Sequence, residues 1–131
     1  MYCLQSPLPT RDKLGYDKFF RLRLLIADNE QIGAYIDSLD KEAQAALLRL
    51  CSAYLLHLSP TLAGDPVARF HLDNGARLER LNPRGNLSAA GLKQSFGLMV
   101  NYLYDLDKVE TNHEKFKLGE VARSRAVASL L

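Results

Sequence analysis

Cysteine is scarce in this 131-residue chain: only Cys3 and Cys51 occur, far apart and in no CxxC pair. That usage argues against a disulfide-stapled scaffold and against a structural zinc site. Cys51 falls within an apolar helical pattern and is expected to be a buried, reduced thiol. A dominant charge sign is also missing. The formal net charge of +2 is too weak to argue for a nucleic-acid or anionic membrane partner. No apolar run is long enough to cross a bilayer, no signal peptide is read, and the ending Ser129-Leu130-Leu131 is not a peroxisomal signal. A reducing cytoplasm is the resulting expectation. HExxH, metal-ligand spacing and a phosphate-cradling glycine loop are absent, as are repeats, linkers and low-complexity segments.

What is present is the composition of an ordinary globular domain, 47% hydrophobic and 24% charged. The stretch Asp65 to Tyr104 organises the reading. Val67 to Asp73 alternates, with Ala68, Phe70 and Leu72 on one face and Arg69, His71 and Asp73 on the other, which predicts a strand. Asn74-Gly75 fits a type I′ turn, and Ala76 to Asn82 predicts the returning strand, with His71 facing Leu78 and Arg69 facing Arg80. A third strand over Leu98 to Leu106 places Val100, Tyr102 and Tyr104 on a common face.

Helices are expected to cover this sheet. Met1 to Pro9 reads as a strand that Pro7 and Pro9 stop, and Thr10 to Tyr16 as a loop. Asp17 can cap a helix carrying Phe19, Phe20, Leu22, Leu24 and Ile26. Ile32, Tyr35, Ile36 and Leu39 mark a second helix, and Asp40 can cap a third whose stripe runs from Ala43 through Leu47, Leu50, Cys51, Tyr54 and Leu55 to Leu58. Ser88 caps a short helix that stops before Gly97. Asp107 to Lys117 reads as a polar connection to a last helix over about Leu118 to Leu130. The fold class is α+β, a single domain with a mixed, mostly antiparallel sheet covered by helices.

Among the histidines, His57 suits the negative end of its helix and His113 lies in the polar connection. His71 stands out because it sits beside a tight turn, although most strand histidines are structural. Tyr102 and Tyr104 are residues that strands favour for packing, and Ser6 before Pro7 reads by itself as a turn residue. The residues alone therefore reach an α+β domain with a His/Tyr/Ser polar site.

Five blocks taken together resemble malonyl-CoA decarboxylases. They are Ser6-Pro7-Leu8-Pro9, Arg49 to Leu55 (RLCSAYL), Asp65 to Ala76 (DPVARFHLDNGA), Gly97-Leu98-Met99 and Asn101 to Tyr104 (NYLY). The resemblance implies the C-terminal part of that family's catalytic domain, with an acetyltransferase-like, acyl-CoA-binding fold. It implies decarboxylation of malonyl-CoA to acetyl-CoA and CO₂, in fatty-acid and malonate metabolism, with no metal or organic cofactor. His71 matches the family's catalytic histidine, Ser6 its catalytic serine and Tyr104 a tyrosine of the same site, with Ser6 and His71 also meeting substrate. After Pro9 the sequence continues Thr10-Arg11-Asp12, where the family usually has a glycine and an aromatic residue. The family's glutamate, its CoA-phosphate segment and its helical N-terminal domain would all lie before Met1. The 131 residues alone are thus expected to be incomplete as an enzyme, with an open sheet edge that favours a homo-oligomer. An inactive truncated relative, or a subunit acting as an interaction module, is the alternative.

Overall fold

The computed structural model describes residues 32–131, so the expected strand carrying Ser6, the loop after it and the helix over Phe19 to Ile26 lie outside the described residues. The described elements run α1 (Ile32–Ser38), α2 (Lys41–Leu58), α3 (Pro66–Asp73), β1 (Arg77–Asn82), α4 (Ala89–Ser95), β2 (Met99–Leu103), α5 (Val109–Lys117) and α6 (Arg125–Ala128). The class is α+β, and among the described residues the sheet is one antiparallel pair, β1 with β2.

α2 is the spine. Asp40 caps it, its carboxylate accepting from the Ala43 N–H at 2.7 Å. Leu50 through Leu56 are all buried, so the second half of α2 is enclosed on every side rather than along one stripe. Leu55 is fully buried and forms one core with Leu50, Leu72, Leu78, Leu98 and Val127. The Ser52 hydroxyl donates to the Val127 carbonyl at 3.4 Å, which ties α2 to α6.

The expected hairpin is not formed, because its first strand is helix α3. Asp65, fully buried, accepts at one oxygen from the N–H groups of Val67 and Ala68, each at 2.9 Å. Pro66 then stands at a first-turn position where its missing N–H costs nothing. A cap of this kind contributes about 1 kcal/mol, and burial of Ala68 and Leu72 adds to it. The apparent alternation misled because Ala68 and Leu72, the buried pair, are four apart and fit both periods, while Phe70 between them is 64% exposed. Asn74 has φ −81°, which rules out a type I′ turn. Gly75, at φ +86°, ends the helix instead: its N–H donates to Leu72 and the Ala76 N–H to His71, both at 3.0 Å, a Schellman arrangement.

β1 therefore pairs with β2, not with the segment before it. Leu78 lies opposite Tyr102 and Leu81 opposite Val100, with an irregularity between Leu78 and Arg80 that leaves Glu79 as the extra residue. In β2, Val100 and Tyr102 are half-buried, as the expected common face requires. Ser88 caps α4 as expected, accepting from the Gly91 N–H at 3.1 Å, and Phe96 and Gly97 end it at positive φ.

The end of the chain also departs from expectation. Residues 109–117 are helix α5, with Val109, Asn112 and Phe116 on the inner side. A buried Asn112 broke the apolar period; it is satisfied by donating to the Gly75 carbonyl at 3.1 Å. After Gly119 the chain forms a parallel bridge between Arg123 and Leu78, so no long final helix can start at Leu118. Ser124, accepting from the Val127 N–H and donating to the Glu79 carbonyl, opens the short α6.

Candidate active site

His71 lies in the last turn of α3 and is half-buried. That turn is held firmly from the α5 side. Asn112 bonds Gly75, the His113 Nδ1 meets the Asp73 carbonyl oxygen, and the same nitrogen is 3.4 Å from the Asp73 carboxylate. Gly75 packs so closely on Val109 that an added Cβ would stand 2.8 Å from the valine Cγ1, and nearer still to its carbonyl oxygen.

β2 and the residue after it supply the other side. Tyr102 and Tyr104 are two residues apart and so project from one face of the strand. The Tyr104 hydroxyl is hydrogen-bonded to His71 Nδ1 at 2.9 Å. Tyr102 stacks on the imidazole, with ring centroids 4.4 Å apart and planes 17° from parallel. Phe70 meets the same ring edge-on at 5.4 Å and 79°. Among the described residues, His71 Nε2 has no hydrogen-bond partner, which leaves this nitrogen available for one. Phe70, with Arg69 and Phe116, also lines a shallow cleft on the neighbouring face of α3.

Two of the expected site residues, His71 and Tyr104, are thus brought together, although His71 comes from a helix and not a strand. Ser6 lies outside the described residues. His57 is exposed in the last turn of α2, as its position near the negative end of the helix suggested. His113, read as part of a polar connection, instead ties α5 to the end of α3. The stack of Tyr102 on His71 was not foreseen; the shared strand face of Tyr102 and Tyr104 was the signal available for it. Among the described residues no group of three or more His, Cys, Asp or Glu side chains is placed to hold a metal ion.

Known proteins agree with the family resemblance, and the family match begins after the Ser6 to Pro9 block. Residues 21–131 match the family model described as the malonyl-CoA decarboxylase C-terminal domain. The mitochondrial malonyl-CoA decarboxylase of Anser anser anser is 39% identical over 94 residues, which is 70% of this chain and 18% of that protein. Its Mus musculus counterpart is 43% identical over 79 residues, 58% of this chain and 16% of that protein. The crystal structure of malonyl-CoA decarboxylase from Rhodopseudomonas palustris superposes with a TM-score of 0.71 at 41% identity, covering 93% of this chain and 28% of that one. That from Agrobacterium vitis gives 0.69 at 39% identity, covering 94% and 29%. The chain therefore spans less than a third of each of these proteins.

The goose, mouse and rat relatives are all named mitochondrial, which overturns the cytoplasmic expectation. Sparse cysteine indicated a reducing compartment and could not distinguish one such compartment from another. With the match over residues 21–131, the chain belongs to the malonyl-CoA decarboxylase family, within its C-terminal domain.

Proposed function

We propose that this chain carries the proton-transfer part of an active site that decarboxylates malonyl-CoA to acetyl-CoA and CO₂, with His71 as the acid that protonates C2. The observation that carries the reading is the 2.9 Å bond between His71 Nδ1 and the Tyr104 hydroxyl, in a chain of this family. Breaking the bond between C2 and the malonyl carboxylate leaves its electron pair on C2, delocalised into the thioester as an enolate. Hydrogen-bond donors aimed at the thioester oxygen lower that barrier, and a dry pocket around the carboxylate favours its loss as neutral CO₂. A proton must then reach C2.

The imidazole can deliver it without rearranging. In the protonated ring both nitrogens are donors: Nδ1–H points to the Tyr104 oxygen and Nε2–H faces the site. Transfer from Nε2 to C2 leaves the neutral Nδ1–H tautomer, whose bond to Tyr104 is unchanged. Tyr104 thus holds the tautomer and the ring direction, and Ser6 is the hydroxyl partner at the substrate. The antiparallel β1–β2 pair with helices packed on it supports a part of an acetyltransferase-like, acyl-CoA-binding fold. Homo-oligomer assembly and a place in fatty-acid metabolism belong to the same reading.

The test is a full-length background in which this chain replaces the corresponding part of the Rhodopseudomonas palustris relative. Supplied with malonyl-CoA, that protein is expected to form acetyl-CoA and CO₂ in equal amounts. A folded protein that forms neither would refute the reading. The 131 residues alone should form no acetyl-CoA above background, because much of the binding energy of an acyl-CoA comes from its remote nucleotide end and is used to position the reacting end.

A further inference from the structure

We infer that Tyr102 is a positioning residue for the reaction: its ring sets the plane of the His71 imidazole and thereby the direction in which Nε2 delivers its proton. The inference rests on the proposed role of His71. A single hydrogen bond from Nδ1 to Tyr104 fixes one direction only, and the imidazole can still swing about the line joining nitrogen and oxygen. A flat ring stacked on its face removes that swing. Tyr102 supplies the face contact, at 4.4 Å between centroids and 17° between planes. Tyr104 supplies the edge bond and Phe70 closes a further side edge-on.

The strand makes the two tyrosines a unit. With Tyr102 on β2 and Tyr104 just past its end, two residues apart, one segment delivers both the plane and the tautomer. Tyr102 is itself held in place, half-buried and opposite the fully buried Leu78 of β1. Stacking needs the aromatic ring and not its hydroxyl, so the inference separates Phe from every aliphatic replacement. Leu and Met keep apolar bulk against the sheet but lose the flat face.

The first measurement is made on the 131-residue chain. His71 ring protons, assigned by comparison with His71→Gln, are observed by NMR in the parent and in Tyr102→Phe, Tyr102→Leu and Tyr102→Met. Ring-current displacement of the His71 signals is expected in the parent and in Tyr102→Phe, and its loss in whichever aliphatic variant keeps the parent's thermal transition. In the full-length background, Tyr102→Leu should lower kcat roughly 10- to 100-fold with KM within about twofold, because misplacing a reacting group by about an ångström has effects of that size. Tyr102→Phe keeps the flat ring and should lose far less kcat than Tyr102→Leu. His71 signals that the aliphatic variants do not move, or a kcat that Tyr102→Leu leaves unchanged while His71→Ala is inactive, overturn the inference. Full turnover in His71→Ala overturns the functional reading instead, and the two failures are thereby told apart.

Discussion

Replacing His71 by alanine in the full-length background is expected to lower the turnover of malonyl-CoA by about 10²- to 10⁴-fold, the usual contribution of one positioned acid or base. Stability should hardly change. His71 is half-buried, and its hydrogen bond is to Tyr104, itself 41% exposed, so water can replace it. Alanine is also a better helix former in the last turn of α3. The loss should fall on kcat, with the thermal transition close to that of the parent. Turnover within a few-fold of the parent would reduce His71 to a packing residue between helix and strand.

Gly75→Ala should have the opposite profile, losing stability first. Gly75 has φ +86°, where an L side chain costs about 1–2 kcal/mol. Its Cβ would also meet the backbone of Val109, which cannot turn aside as a flexible side chain would. Together these predict a loss of roughly 2–4 kcal/mol in denaturant unfolding. Gly119 is the control: its φ is +85° but an added Cβ would meet nothing within 4 Å. Gly119→Ala should therefore cost the backbone term alone, about 1–2 kcal/mol. Equal losses at the two glycines would show that the α3–α5 approach is loose. A larger loss at Gly75 locates the stiffness in the turn that aims His71.

Residues whose local chemistry agrees with their surroundings were legible. Asp40 and Ser88 cap the helices they were expected to cap, and Val100 and Tyr102 share the inner side of β2. The segment Pro66 to Asp73 was not legible as a helix, since its buried pair satisfies two periods and Asn74-Gly75 has the composition of a hairpin turn as well as of a helix stop. The Asp65-Pro66 start was the better guide, because a buried cap followed by proline is chemistry that a strand does not need. α5 was hidden for a tertiary reason: Asn112 looks like surface until the Gly75 carbonyl is placed against it. His71 and Tyr104 could be paired only through the family's blocks, whereas their 2.9 Å approach depends on the α3 turn and the β1–β2 register, neither of which the alternation pattern contains.

In the proposed reaction His71 and Tyr104 act as one unit in delivering a proton to C2. A double-mutant cycle on kcat for acetyl-CoA formation, in the full-length background, tests it most directly. Tyr104→Phe, which removes only the hydroxyl bonded to Nδ1, should lower kcat by roughly tenfold. Once His71 is alanine, the same change should have almost no further effect, since there is no imidazole left to hold. The double variant should then turn over as slowly as His71→Ala and no slower. Losses that multiply, with the double variant about tenfold below His71→Ala, would show the two residues working independently and contradict the paired site.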